Sequence, residues 1–522
     1  MNRQVPKAYI LTKNDPSQIQ KSSAQAAKNI CGMIRTCLGP RAMQKMVLTK
    51  INTVEVTNDG NCILRELDVG HPSARCLIDL AKTQDDECGD GTTSVIILAA
   101  ELLDKLVPLI SEFHPIKICK FLSEIRNLCI DTLHEISIEN KESEMLKIVR
   151  SAVSTKLCTV LKLPIPEIAV EAAMKIRDPN SAVKCDIKNN IRIVKMLGDF
   201  KQSKVLDGIL LEKDIIHSQM QRHISSPKIL LIDSPLEYKK GESATNMEFS
   251  EVEDFTDALR GEERQIEKMV QQILNVKPDL VVSEKGISDL ALSLFQQNNV
   301  TALRRVKKSD LTRIAKATGA TIMNRLEDID IKHLGSCGQF DYEKIGQTFY
   351  SSFHKCKDPK AISVILSGPT KDLNNELERN FFDAVKVAKN MIINSKMVPG
   401  GGASEMAILN KVKNMKGDTK LQKNVKNAVC EALKVIPSIL ALNSGVSNSI
   451  ELLNILVERH KDPVNCYLGV NGITGEIQNM KEVVMEPIIV KSQCMKSAFD
   501  TVIQLLRVDG IIECKTVQES TD

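Results

Sequence analysis

Cys88 to Ser94 reads Cys-Gly-Asp-Gly-Thr-Thr-Ser and runs straight into a long apolar stretch. Gly89 and Gly91 permit positive φ and a close backbone approach to a ligand. Thr92, Thr93 and Ser94 fall where a helix would begin. Their N–H groups and hydroxyls would face whatever precedes the helix, and the helix dipole favours an anion there. Asp90 between the glycines would repel a bare phosphate. It suits a divalent cation that bridges to phosphates. The stretch therefore reads either as a metal–triphosphate site or as a glycine-rich helix N-cap. It is no Walker A loop, because no Gly-Lys dipeptide occurs in the chain.

Other glycine clusters are candidates to complete such a pocket: "TCLGP" (36–40), "TNDG" (57–60), "PGGGAS" (399–404) and "GVNGITG" (469–475). Each alone reads as a turn. Together they fall in the two ends of the chain and leave the middle free of them.

The elements that must position these loops follow from periodicity. Residues 23–38 place Ala26, Ala27, Ile30, Met33, Ile34 and Cys37 at helical spacing before Gly39-Pro40, a stop signal. Residues 94–110 read as a helix apolar nearly all round, hence central, and 117–135 as a third. The middle changes character. "KILLID" (228–233), "DLVVS" (279–283), "VTALRRV" (300–306) and "ATIMN" (320–324) are short β-rich runs separated by helical patterns, which predicts an α/β domain with a largely parallel sheet. Between the first two, a polar, acidic segment precedes a stripe of Ile266, Met269, Val270, Ile273 and Leu274. The stripe is expected to dock and the polar part to project. From about 374 the chain is helical again, with Leu377, Phe381, Ala384, Val385, Ala388, Met391 and Ile392 on one stripe and further helices at 403–415, 420–443, 447–460 and 495–507. The layout predicts an α/β insertion inside a helical domain built from both chain ends.

Composition excludes several classes. Lys and Arg number 70 against 66 Asp and Glu, a net charge of +4 that gives no broad field for nucleic acid or an acidic membrane. With no Trp and 3% aromatics, base-stacking platforms are not expected. The run near 94–110 is too short and too charged to span a bilayer. The 15 cysteines show no Cys-x-x-Cys pair, and the N-terminal residues carry no secretory pattern, so reduced cytosolic thiols in small buried niches are expected. The eight histidines form no His-Glu-x-x-His pattern.

"TCLGP", "TNDGNCILREL", "TQDDECGDGTTSVI", "ERNFFDAV", "VPGGGASEMA" and "GVNGITGE" resemble, in order and over nearly the whole chain, the nucleotide-site signatures of the chaperonin family. The segment 241–265 resembles the built-in lid of the group II branch. "LEYKKGESATN", "VSEKGISDLA" and "TALRRVKKSD" resemble one subunit type of the eukaryotic cytosolic chaperonin. The resemblance implies a chaperonin fold, multidomain α and α/β. Its helical equatorial ATP-binding domain would be 1–141 with 396–522, and its small intermediate hinge domain 142–206 with 358–395. The inserted α/β apical domain, carrying a helical protrusion, would be 207–357.

It also implies roles. Gly39 would contact nucleotide. Asp90 would bind Mg²⁺, with Gly91, Thr92, Thr93 and Ser94 on the phosphates of ATP. Thr155 and Lys156 match a family contact. Gly401 and Gly472 would line base and ribose, with Glu486 near the ribose and Lys491 nearby. Asp59 and Asp383 match carboxylates that orient or activate the attacking water. By spacing alone Asp383 lies off its helix's apolar stripe and reads as a solvated carboxylate.

The implied function is that of a cytoplasmic subunit in an eight-membered, hetero-oligomeric double ring. The ring would enclose non-native proteins, such as actin and tubulin, and would hydrolyse ATP to close the lid. Neither nucleic acid nor membrane is an expected partner. A small-molecule kinase would need a phosphoacceptor base that the insertion does not offer. A non-catalytic ATP-binding scaffold is argued against by intact Asp59, Asp90 and Asp383. Gly198-Asp199 stands where the family often has two glycines, which predicts a stiffer hinge. The helix 310–318, with Lys307, Lys308, Arg313 and Lys316 around it, is either substrate-facing or a basic solvated face.

Overall fold

The computed structural model describes residues 7–9, 16–48, 54–139, 144–178, 185–238, 252–511 and 513–515. The chain divides into two compact units, Met1–Pro166 with Asn380–Asp522, and Glu167–Arg379.

The first unit is built around the helix Thr92–Leu106, whose residues from Val95 to Leu103 are buried apart from Glu101. A helix without a polar face must be surrounded. The helices Pro16–Ile34, Pro72–Cys88, Lys420–Leu433 and Ile488–Leu506 pack on it, Pro115–Ile136 packs on the last of these, and all share one apolar core. Pro108 stops the central helix, and Val107–Ser111 continues as a 3₁₀ turn. The helix expected over 420–443 is two, Lys420–Leu433 and Val435–Asn443. Pro437 would drive its ring into the carbonyl of Leu433, four residues back, if the first helix simply continued. The last helix starts at Ile488 rather than 495, directly after the strand Met485–Pro487, so Lys491 lies near its beginning. The ends of the chain pair, Lys7–Tyr9 antiparallel to Glu513–Lys515.

The second unit holds the expected parallel sheet, in the order Thr301–Leu303, Leu280–Ser283, Lys228–Ile232, Ile322–Met323. Ile266, Val270 and Ile273 of the helix Val252–Leu274 dock in its core, as their stripe predicted. Arg260 to Gln265 are exposed, and 241–251 of the expected projecting segment lie outside the described residues. A second sheet was not read from the sequence: Ile209–Leu211, Thr348–His354, Gln339–Ile345 and His223–Ser225, all antiparallel. Its hairpin turns at Gly346, φ 64°, between two runs rich in Phe and Tyr, which was the available signal. A third sheet joins Ile191–Leu197, Ile362–Gly368 and Lys204–Leu206. Asp199, at the anticipated hinge, accepts from Lys201 N and caps the 3₁₀ turn Phe200–Gln202. Arg313 and Lys316 are not simply solvated. Arg313 donates to the carbonyls of Lys188 and Asn189, and Lys316 to Asn190.

Candidate nucleotide site

The Gly-Asp-Gly stretch joins two helices. Pro72–Cys88 ends on Gly89 in the left-handed conformation, φ 70°, whose N–H donates to Asp85 O. Gly91, φ 79°, opens Thr92–Leu106, and no side chain caps that N-terminus. Both glycines therefore supply the positive φ their positions anticipated. The backbone donors of the first turn are left for a ligand. Asp90 Oδ1 accepts from the Gly91 N–H at 2.7 Å. Burial raises the Asp90 carboxyl above its usual range, opposed by that N–H, Lys156 and Lys491 and reinforced by Asp59.

Thr57 to Gly60 are folded against this turn. A Cβ on Gly60 would stand 2.8 Å from Thr93 Oγ1 and 3.5 Å from Thr92 Oγ1, so only glycine allows the approach. Asp59 is not a free carboxylate. Its oxygens accept from the N–H groups of Asn61 (3.3 Å) and Cys62 (3.2 Å) and cap the helix Gly60–Glu66, leaving lone pairs on each for a further donor. Asn58 donates to the carbonyl of Thr155 at 2.9 Å and brings the "STK" segment alongside.

Asp383 comes from the helix Lys371–Ile393. It does lie off the stripe of Leu377, Phe381, Ala384 and Val385, all fully buried. Yet the carboxylate is not simply solvated: its side chain is 23% exposed, and Asp383 Oδ2 lies 3.0 Å from Lys156 Nζ. Burial pushes its pKa up to about 6. Lys156 pulls it down, while Asp59 and Asp85 push it up.

A short antiparallel pair, Lys396–Pro399 with Met485–Pro487, carries the next carboxylate. Val398 opposes Glu486, and a Cβ on Gly400 would meet Glu486 Oε1 at 2.8 Å. Lys491 Nζ reaches Glu405 Oε1 at 2.8 Å and Glu486 Oε2 at 3.4 Å. Its side chain is 6% exposed and that of Glu405 1%, so two carboxylates engage an ammonium cut off from solvent. Burial raises Glu486 to about 7, with Lys491 opposing and Asp90 and Glu405 adding. Gly401 has φ 61°, and a Cβ there would lie 2.7 Å from Val470 O. Gly472 packs on Pro40, where a Cβ would come within 2.4 Å of Cδ, and Gly39, φ 92°, abuts Leu440.

All the anticipated residues thus lie in the first unit. Asp59, Asp90, Asp383, Lys156, Glu486 and Lys491 are within electrostatic reach of one another in a chain of pairs. The glycine loops are joined in twos: Gly60 with Thr93, Gly39-Pro40 with Gly472, Gly401 with the strand Leu468–Val470. Glu405, Asp85 and Asn58 were missed. Glu405 directly follows the "GGGAS" loop, and a charge inside the apolar stretch Ala403–Leu409 was its signal. Among the described residues no three His, Cys, Asp or Glu side chains form a ready metal cage. A magnesium ion suits such a place, since it binds through one or two carboxylates and completes its shell with water and phosphate oxygens. Asp90 fits that demand, because its carboxylate is partly buried and Oδ1 accepts only from the neighbouring backbone N–H among the described residues.

The sequence profile of the TCP-1/cpn60 chaperonin family matches residues 30–516. T-complex protein 1 subunit gamma of Encephalitozoon cuniculi (strain GB-M1) is 53% identical over 523 residues, covering 99% of this chain and 100% of that protein. The subunit of the same name in Schizosaccharomyces pombe (strain 972 / ATCC 24843) is 42% identical over 520 residues, 97% and 98% of the two chains. That of Bos taurus is 41% identical over 505 residues, 95% and 92%. The subunit type to which 236–246, 282–291 and 301–310 pointed is therefore gamma.

Proposed function

This chain belongs to the TCP-1/cpn60 chaperonin family, whose members hydrolyse ATP, and from that premise we propose that it is the gamma-type subunit of a cytoplasmic hetero-oligomeric double ring. The ring folds enclosed non-native proteins, cytoskeletal proteins such as actin and tubulin among them, and ATP hydrolysis closes the lid. In this reading 1–141 with 396–522 are the equatorial domain, 142–206 with 358–395 the intermediate hinge, and 207–357 the apical domain.

The observation that carries the reading is the Asp383–Lys156 pair at 3.0 Å, within electrostatic reach of Asp59. The uncapped N-terminus at Thr92 supports it, since that is where phosphates belong. Mg²⁺ held by Asp90 would neutralise charge on the phosphates. Thr92, Thr93 and Ser94 bind them through backbone N–H groups and hydroxyls, with Gly91 giving the backbone room. Asp383 accepts the proton of the attacking water, and Asp59 orients that water through lone pairs its capping bonds do not use. Lys156 holds Asp383 in its ionised form, next to Thr155. Gly39, Gly401 and Gly472 shape the base and ribose walls. Glu486 takes a ribose hydroxyl, braced by Lys491.

Assembly is supported by the hairpin Lys45–Leu48/Val54–Thr57. Met46 opposes Val56 and Leu48 opposes Val54, so all four share one face, and each is at least half exposed (76%, 50%, 65% and 57%). A two-stranded sheet with an uncovered apolar face is marginal alone and calls for another chain.

The test is native mass spectrometry of the complex isolated through a tag on this chain. A large assembly containing other subunits, hydrolysing ATP with no small-molecule acceptor, is expected. A monomer that refolds a client with ATP overturns the proposal.

A further inference from the structure

The helix that carries Asp383 is tied to the turn that carries Asp90 by groups to which nothing so far gives a role. Asp383, Lys386 and Asn390 are spaced three and four residues apart and lie on one helix face. Lys386 Nζ donates to Asp85 Oδ1 and to Asp85 O, both at 2.9 Å. Asn390 donates to Cys88 O at 2.9 Å in a buried contact. Both carbonyls belong to the last turn of the helix Pro72–Cys88, where a lysine also meets the negative end of the dipole. Asp85 O takes the Gly89 N–H as well. The Lys386 stem lies so close over Gly89 that a Cβ there would come within 2.3 Å of Lys386 Cδ.

Asp85 faces a second way too. Its Oδ2 accepts from Asn61 Nδ2 at 2.7 Å. Asn61 is in the first turn of the helix that Asp59 caps, and its own N–H binds Asp59 Oδ1. One carboxylate therefore ties the helix of Asp383 to the helix of Asp59, five residues before Asp90. The Lys386–Asp85 pair is about three-quarters buried on both sides, so water competes with it little.

We propose that Asp85 and Lys386 are a positioning pair that sets Asp383 against Asp59 and the Asp90 turn, and that neither touches nucleotide. This rests on the reading of Asp383 as the group that activates water. Lys386 acts only by fixing where that carboxylate stands. A displacement of about 1 Å at such a group costs hydrolysis far more than binding.

The experiment uses the assembled complex carrying Lys386→Met, which keeps the stem over Gly89 and removes the charge. Hydrolysis at this subunit, read as labelled ATP converted to ADP after a chase, should fall about 10- to 100-fold while ATP affinity moves less than about threefold. Lys386→Arg should restore most of the rate. Hydrogen exchange at the Gly89 to Thr92 amides should rise in Lys386→Met without nucleotide. Asp383→Asn is measured beside it, and the double variant should be no slower than Asp383→Asn alone. If Asp383→Asn slows hydrolysis and Lys386→Met does not, or the double variant is slower still, the positioning role is overturned and the reading of Asp383 stands. If Asp383→Asn has no effect, that reading falls and the positioning role with it. Should Lys386→Met fail to assemble, Asp85→Asn replaces it with the same expected outcomes.

Discussion

Lys156 Nζ lies 3.0 Å from Asp383 Oδ2, joining a short segment near the end of the chain's first third to a helix in its last third. The lysine stabilises the charged form of a carboxylate that burial alone would neutralise further. A base with a pKa of about 6 is ionised at neutral pH and still basic enough to take a proton.

Asp383→Ala should leave ATP binding nearly intact and slow hydrolysis at this subunit by about 10²–10⁴-fold, the usual worth of a general base. Bulk ATPase would dilute the effect among other subunits. Nucleotide photo-crosslinked to this chain after a chase should be mostly ATP in the variant and mostly ADP otherwise. Equal ADP in both would make Asp383 a structural ion-pair partner and nothing more.

The rate at this site should depend on pH through Asp383. Its pKa in the fold is raised to about 6, so the active carboxylate is present above that value and is lost as pH falls through it. Lys156 lowers that pKa, while Asp59 and Asp85 raise it. Lys156→Met should therefore move the acid limb of the profile to higher pH, whatever it does to the plateau. An unmoved limb would assign the titration to another group.

Asp90→Ala should remove the Mg²⁺ dependence of ATP binding at this chain. Its carboxylate stands at the uncapped helix end and accepts a hydrogen bond from the adjacent Gly91 N–H. Labelled ATP retained with and without Mg²⁺ measures this, and an unchanged ratio would place the metal elsewhere.

Glu405→Gln should destabilise the first unit by about 1.5–3 kcal/mol, since Lys491 keeps Glu486 at 3.4 Å but loses the charge of its fully buried partner. Glu458→Gln removes a still shorter pair, 2.6 Å to Lys461, but one exposed at 66% and 58%. It should cost no more than about 1 kcal/mol. Denaturant titration followed by a label in this unit separates the two. Equal losses would show that the Glu405 site admits water.

Met46→Glu with Val56→Lys should leave the hairpin paired, because the two positions are directly opposite and the new charges attract. The apolar face would be gone. The variant chain should fold but fail to enter the complex, seen by native mass spectrometry. Normal incorporation would clear this face of a part in assembly.

The local chemistry was legible without coordinates. The Gly-Asp-Gly turn depends on φ at two residues and on where the next helix starts, and both are set by neighbours in the chain. The parallel strands and the stripe Ile266–Ile273 were legible for the same reason: burial leaves a periodic trace in residue types. The antiparallel sheet was missed because Gln339–Ile345 is half polar and pairs through a turn with a single glycine.

Spacing alone made Asp383 a solvated carboxylate and left Lys491 without a partner. Only the folded chain brought Lys156 to the first and Glu405, 86 residues distant, to the second. Asp59 was read for its charge, but the fold also made it a helix cap. A helix or a glycine turn is decided by interactions within a few residues, so the sequence determined those. The pairing of buried charges is decided by which distant segments share a low-dielectric interior, where an unpaired ion is costly, and that only the tertiary structure could settle.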